Sequence, residues 1–368
     1  MKRIIQTLCL TSTLTLGTTA IAASANIKVV YGDDNRVEVD DSTNPMFVRL
    51  SQSTAAMVPN LKIVELNSEQ FVLGGKSLQD GGMCESERFS KQPTTANCSG
   101  FLVSKNVLVT AGHCVTSSFD CSNSSWVFDY KVDHTDQEEV VVDKVNVYKC
   151  KSVISQELNN QTSNDYAVIE LDRDVTDRKP LKMRKGGKPS VGDELVVIGH
   201  PSGLPTKIAD GAVVREVNDI YLVANLDTYG GNSGSAVFNA NSGLVEGILV
   251  RGDTDYVYDS TQGCRVTNTI GSNAGRGEDV TLIASVKGLP EEPTQPEEPT
   301  QPEEPTQPEE PTQPEEPTQP EEPTQPEEPT QPEEPAQPEE PTQPEEPTQP
   351  EPQTWWERFL EWLATRNN

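Results

Sequence analysis

The chain has 368 residues, 33% of them apolar, with 58 acidic against 29 basic side chains. A net charge of -29 excludes nucleic acid as a natural partner, because phosphate binding needs a basic patch. The charge is unevenly placed. Residues 291–350 are ten Glu-Glu-Pro-Thr-Gln-Pro hexads with Ala336 the one departure, and with Glu351 and Pro352 they hold 21 acidic residues, 21 of the 29 prolines and no basic side chain. Residues 1–290 keep 35 acidic and 27 basic groups, the mild imbalance of an ordinary globular domain.

In chain order, Met1-Lys2-Arg3 opens a charge-free apolar run from Ile4 to Ala25, which ends in the small residues Ala20-Ile21-Ala22 and Ala23-Ser24-Ala25. This pattern predicts a secretory signal peptide over 1–25, and a secreted, periplasmic or cell-surface protein. Residues 26–60 are either a propeptide or the first strand of the domain that follows. From 61 to 290 the chain is β-rich. Phe101–Val103 and Val107–Thr110 flank a polar turn, and Glu139–Tyr148 alternates over its second half. Asp165–Leu171, Glu194–Ile198, Ile220–Leu226, Ser235–Phe238 and Leu244–Val250 are short apolar runs parted by Gly, Asn, Asp and Pro. No helical period of 12 or more residues emerges, so an all-β sandwich or pair of small barrels is expected.

The hexads cannot bury a core, and their prolines oppose helix and central strand. They predict a disordered rod over 291–352, extended to about 190 Å in polyproline geometry. Residues 353–368 predict a short amphipathic helix with Thr354 and Glu357 as a capping box and Trp355, Phe359 and Trp362 on one stripe. A spacer whose tip docks on a membrane interface or cell surface is the favoured reading of this tail. An export signal and a plain solubilising tail are the others.

Removal of the leader takes Cys9 and leaves six cysteines, enough for three disulfides in any of fifteen pairings. Their spacing lacks the Cys-x-x-Cys of a zinc site.

Three segments carry chemistry. Thr110-Ala111-Gly112-His113-Cys114 ends one strand, Asn164-Asp165-Tyr166 opens another, and Gly230-Gly231-Asn232-Ser233-Gly234-Ser235 is a loop before a third. A serine hydroxyl needs an adjacent base, a histidine base needs a carboxylate to fix its tautomer, and a glycine-rich loop brings backbone N–H groups to a developing oxyanion.

In this order the segments resemble the chymotrypsin-fold (trypsin-like) serine proteases, and the Gly-Gly-Asn-Ser-Gly-Ser run is most similar to their bacterial glutamyl-endopeptidase-like branch. The resemblance spans about 60–286 and reaches toward Tyr31-Gly32-Asp33-Asp34-Asn35-Arg36. It implies two six-stranded antiparallel β-barrels, a serine endopeptidase acting on protein or peptide substrates, and no metal or organic cofactor. It implies His113 as general base, Asp165 as its orienting carboxylate, Ser233 as nucleophile, and the Gly231 and Ser233 N–H groups as oxyanion hole. Cys98 and Cys114 match the spacing of the family's histidine-loop disulfide. Cys121–Cys150 and Cys84–Cys264 are then expected as the remaining pairs.

Some positions depart from the family. Asn232 replaces the aspartate that pairs with a new N-terminus in trypsin-like zymogens. Asp227, six residues before Ser233, falls where the trypsin family places the base of its specificity pocket, which predicts cleavage after Arg or Lys. The histidine of the glutamyl-specific branch is missing after Gly247-Ile248, although Thr228 matches a hydroxyl those enzymes use. Arg251 is expected near the pocket wall, to neutralise Asp227 or bind an acidic side chain, so glutamyl specificity is the alternative. A non-catalytic binding protein on the same fold is the competing class. His200 is expected as a surface loop residue, and Arg251-Gly252-Asp253 as a strand end and turn.

Overall fold

The computed structural model describes residues 30–133, 137–252 and 254–291. The expected signal peptide, the hexads beyond Glu291, the terminal helix, His134 and Asp253 lie outside the described residues.

Six strands close the first barrel: Val147–Asn159, Asn164–Leu171, Val107–Thr110, Cys98–Ser104, Thr54–Pro59 and Ser124–Phe128, which returns to Val147–Asn159. All neighbours are antiparallel. The second barrel runs Glu194–Gly199, Ala236–Asn239, Val245–Arg251, Glu278–Leu282, Tyr221–Ala224 and Lys207–Val217, which pairs back to Glu194–Gly199. Closure removes the sheet edges that open strands would expose. The first barrel is filled by Phe101, Leu108, Trp126 and Ile169 among others, and the second by Leu195, Val197, Leu222, Val237 and Val280. The fold is the expected chymotrypsin-like pair of barrels.

The two α-helices among the described residues are short and locally encoded. Pro45–Ser51 starts with proline after Asn44, whose side chain accepts from the Met46 N–H. Ser118–Asn123 begins with a capping box between Ser117 and Asp120.

One expectation changes. Glu139–Tyr148 is not one strand. Val140–Asp143 pairs with Gln70–Leu73 outside the barrel, and a 3-10 turn at Lys144–Asn146 redirects the chain into Val147–Asn159. Residues 26–60, expected as a propeptide or a first strand, contribute strands to the sheets of the domain. Thr54–Pro59 is a first-barrel strand, and Arg36–Glu38 extends the second barrel by pairing with Lys207–Val217. That second join is anchored by a buried ion pair, Lys207 Nζ to Glu38 Oε2 at 2.9 Å, with Gln92 bonded to both partners. Burial pulls the Lys207 ammonium down to about 8, against the favourable Glu38 charge.

The three disulfides are Cys98–Cys114, Cys121–Cys150 and Cys84–Cys264, as expected. They fit an oxidising compartment outside the cytosol.

Candidate active site

His113 sits in a 3-10 turn, Gly112–Cys114, directly after the strand Val107–Thr110. The neighbouring strand brings Asp165 beneath it. One carboxylate oxygen accepts the His113 backbone N–H at 3.1 Å, and the other meets ring Nδ1 at 2.8 Å. Asp165 is 2% exposed against 34% for the imidazole, so the acid is sealed while the ring is partly open to solvent. A carboxylate on Nδ1 favours the tautomer that carries the proton on that nitrogen. The Cys98–Cys114 sulfurs and a ring nitrogen of His113 lie within 4.8 Å of one another. Those sulfurs are bonded to each other, and the bridge braces the turn.

The Ser233 loop docks against the same place through Ser99. Its N–H donates to Ser233 O at 2.8 Å, its hydroxyl donates to Gly231 O at 2.9 Å and accepts from His200 N, and its carbonyl accepts from Thr110 Oγ1 at 2.7 Å. Gly234 permits the approach. At φ +90° its missing Cβ would overlap Ser99 O and Thr110 Oγ1, and would lie 3.0 Å from Ala111 N. The serine loop thus rests on the two residues that lead into His113.

Within the loop, the N–H groups of Gly230, Asn232, Gly234 and Ser235 all have acceptors. Among the described residues, the N–H groups of Gly231 and Ser233 donate to none. Asn232 is buried, and its side-chain oxygen accepts from Ser235 Oγ at 3.2 Å, so it serves the loop's own shape.

Beside Ser233 opens a cavity of about 240 Å³, whose wall includes Thr228, Arg251, Gly252, Asp255 and Glu278. Thr228 and Arg251 both line this cavity. The Arg251 guanidinium, however, pairs with Asp279 at 3.1 Å, donates to Ser163 O at 2.9 Å and stands 3.8 Å from Asp165, so it does not neutralise Asp227. Asp227 is not among the described residues that line this cavity. Its carboxylate accepts the Tyr31 N–H at 2.8 Å and the Asn35 N–H at 3.1 Å. Burial still raises its pKa to about 6. The N-terminal segment, paired through Val30–Tyr31 with Thr269–Ile270, therefore consumes the acid.

His200 corrects a second expectation. It is fully buried, its backbone N–H donates to Ser99 Oγ at 3.0 Å, Nδ1 meets Leu204 O at 3.1 Å, and the ring stacks on Tyr130. Burial drops its pKa to about 3. Glu278, Asp255 and Ser99 were not anticipated. The acidic pair Glu278-Asp279 before the run Val280–Ile283 was the one available signal for Glu278.

The two closed antiparallel barrels make a chymotrypsin-like fold. Residues 98–248 match the family described as trypsin-like peptidase domain. No curated protein matches the chain. Among solved structures, a Glu endopeptidase in complex with MPD is 17% identical, over 70% of this chain and 95% of that one, with a TM-score of 0.40. The active form of the Rv3671c protease from M. tuberculosis is 14% identical, over 78% and 92%, with a TM-score of 0.39. Human heparin binding protein is 12% identical, over 69% and 92%, at 0.41.

Proposed function

We propose that the protein is a secreted serine endopeptidase that hydrolyses peptide bonds through an acyl-enzyme. Ser233 Oγ attacks the carbonyl carbon while His113 Nε2 takes its proton. Asp165 holds the ring and stabilises the imidazolium. The tetrahedral oxyanion is received by the N–H groups of Gly231 and Ser233. The intermediate collapses with His113 protonating the leaving amine, and a water deprotonated by His113 then releases the acyl group and regenerates Ser233. The observation that carries this reading is the 2.8 Å contact between His113 Nδ1 and the buried Asp165, beside a serine loop with two uncommitted N–H groups. The substrate is a protein or peptide, with Arg or Lys favoured before the scissile bond.

Labelling with a phosphonofluoridate tests it. One adduct on Ser233, found by peptide mass spectrometry and absent in Ser233→Ala, is expected. A folded, mature protein that takes no label would instead be a binding module on a protease fold.

Arg251 supports a second reading of specificity, because it lines the same cavity and could meet a glutamate side chain. Hydrolysis of Glu-ending peptides in preference to Arg-ending ones would establish it.

The leader directs export, the hexads act as a spacer, and residues 353–368 dock the enzyme to a surface. Deleting 353–368 should move the protein from the cell-associated to the soluble fraction; unchanged fractionation would rule out docking.

A further inference from the structure

Resting on Ser233 as the nucleophile, we propose that Glu278, and not Asp227, selects a cationic side chain before the scissile bond. Glu278 opens the strand Glu278–Leu282, is 2% exposed, and forms part of the wall of the cavity that Ser233 borders. Its carboxylate is held in place by two hydroxyls. Thr228 Oγ1 donates to Oε2 at 2.9 Å, and the Tyr31 hydroxyl donates to Oε1 at 3.4 Å. Gly252 lets this carboxylate border the cavity, because a Cβ at 252 would overlap both of its oxygens.

A fixed carboxylate within low-dielectric walls favours a guanidinium or ammonium. It offers a neutral side chain no matching charge and repels an anionic one. The surrounding charges agree. Asp255, whose Oδ2 accepts the Gly230 N–H at 2.8 Å, adds a second acid to the wall. The cation in the wall, Arg251, is engaged by Asp279 and stands beside Asp165. Arg36 lies across the Tyr229 ring, 4.2 Å from its centroid, and is paired with Asp34 at 2.7 Å. An incoming cation therefore meets Glu278 and Asp255 in this wall. Asp227, bound to the N–H groups of Tyr31 and Asn35, holds the N-terminal segment against the back of this wall.

The test compares two peptide substrates differing only in Arg or citrulline before the scissile bond, so that the shape stays and the charge goes. With the full-length secreted protein, kcat/KM should favour Arg by on the order of 100-fold or more. Glu278→Gln should reduce that preference to roughly fivefold or less, whereas Asp227→Asn should preserve the ratio. Equal rates on the two substrates in the unmodified protein, or a preference that survives Glu278→Gln, would overturn the assignment. If Glu278→Gln does not fold, Glu278→Asp decides: a fall of about tenfold in the ratio supports the proposal, and an unchanged ratio overturns it.

Benzamidinium binding to Ser233→Ala protein, measured by calorimetry, separates this inference from the peptidase reading. Binding that Glu278→Gln abolishes supports Glu278 even where no peptide is hydrolysed and no label reaches Ser233. In that case the peptidase reading alone fails.

Discussion

The two sides of the cleft are built differently. On the first-barrel side, His113 is held by its own backbone N–H and its ring, both on Asp165, and by a disulfide that closes a loop of sequence separation 16. On the second-barrel side, the cavity wall depends on single side chains from distant segments, with the Tyr31 hydroxyl reaching Glu278 across a separation of 247. The first arrangement is redundant, with two hydrogen bonds and a bridge on one turn. The second gathers its parts from segments far apart in the chain. Bond-breaking machinery must hold sub-ångström geometry, whereas a specificity wall needs only the right charge at the right depth. Selectivity should therefore be separable from chemistry by mutation, and the converse should fail.

The strongest way to break this contrast is at the chemistry itself. Ser233→Ala should lower kcat by about 10⁶-fold, with an unchanged melting temperature. Residual activity within tenfold of the parent in an active-site-titrated sample would show that Ser233 is not the nucleophile. Asp165→Asn should cost about 10⁴-fold in kcat. Its amide can present N–H to Nδ1 and so favours the wrong tautomer. The fold should survive, because the carboxamide oxygen can still accept the His113 backbone N–H. The drop should appear in kcat and leave KM nearly unchanged, since Asp165 does not line the substrate cavity.

The redundancy of the His113 side makes its disulfide a weaker lever on rate than on stability. Replacing Cys98 and Cys114 together by alanine should lower unfolding free energy by about 2–5 kcal/mol, read by denaturant titration. Activity at low temperature should fall less than tenfold, because Asp165 still grips the turn. A loss as large as that of Asp165→Asn would show that the bridge, and not the carboxylate, sets the ring's position.

The same contrast explains what was legible in the sequence. The turn, strand and loop that hold His113, Asp165 and Ser233 could be read because each lies in a contiguous segment whose neighbours carry its local structure, such as the strand before His113 and the glycines around Ser233. The barrels were legible for the same reason, as short apolar runs parted by turn residues. The Cys98–Cys114 pair followed from likeness to a family, and the other two pairs divided the cysteines that were left. Glu278 was not legible, since its role depends on Thr228, Gly252 and Tyr31 converging from three other places in the chain. The bonds of Asp227 were not legible, because its spacing from Ser233 says nothing about the N-terminal segment, whose Tyr31 and Asn35 N–H groups donate to the carboxylate. His200 was misread because Gly-His-Pro resembles an exposed turn, while Ser99 and Tyr130 draw it inside.

Two buried titratable groups flank the serine loop and give opposite pH responses, which sharpens the contrast further. His200 has its pKa dropped by burial to about 3 from 6.5. Its stabilising contribution is complete above about pH 6.5 and is lost as the pH falls toward 3, because the unfolded chain takes the proton first. The span is about 5 kcal/mol. His200→Gln, which does not titrate, should remove that part of the acid sensitivity. Asp227 has its pKa raised by burial to about 6 from 3.8. Its contribution is complete below about 3.8 and is lost as the pH rises through 6, a span of about 3 kcal/mol. Between pH 4 and 6 the two slopes oppose each other. Asp227→Asn removes only the second, so relative to the parent the variant should gain stability as the pH is raised from 4 to 7. Denaturant titrations of both proteins at each pH measure this difference, in which the other carboxylates cancel. A difference that shrinks with rising pH would mean that Asp227 is stabilised as the anion by the Tyr31 and Asn35 N–H groups more than burial penalises it.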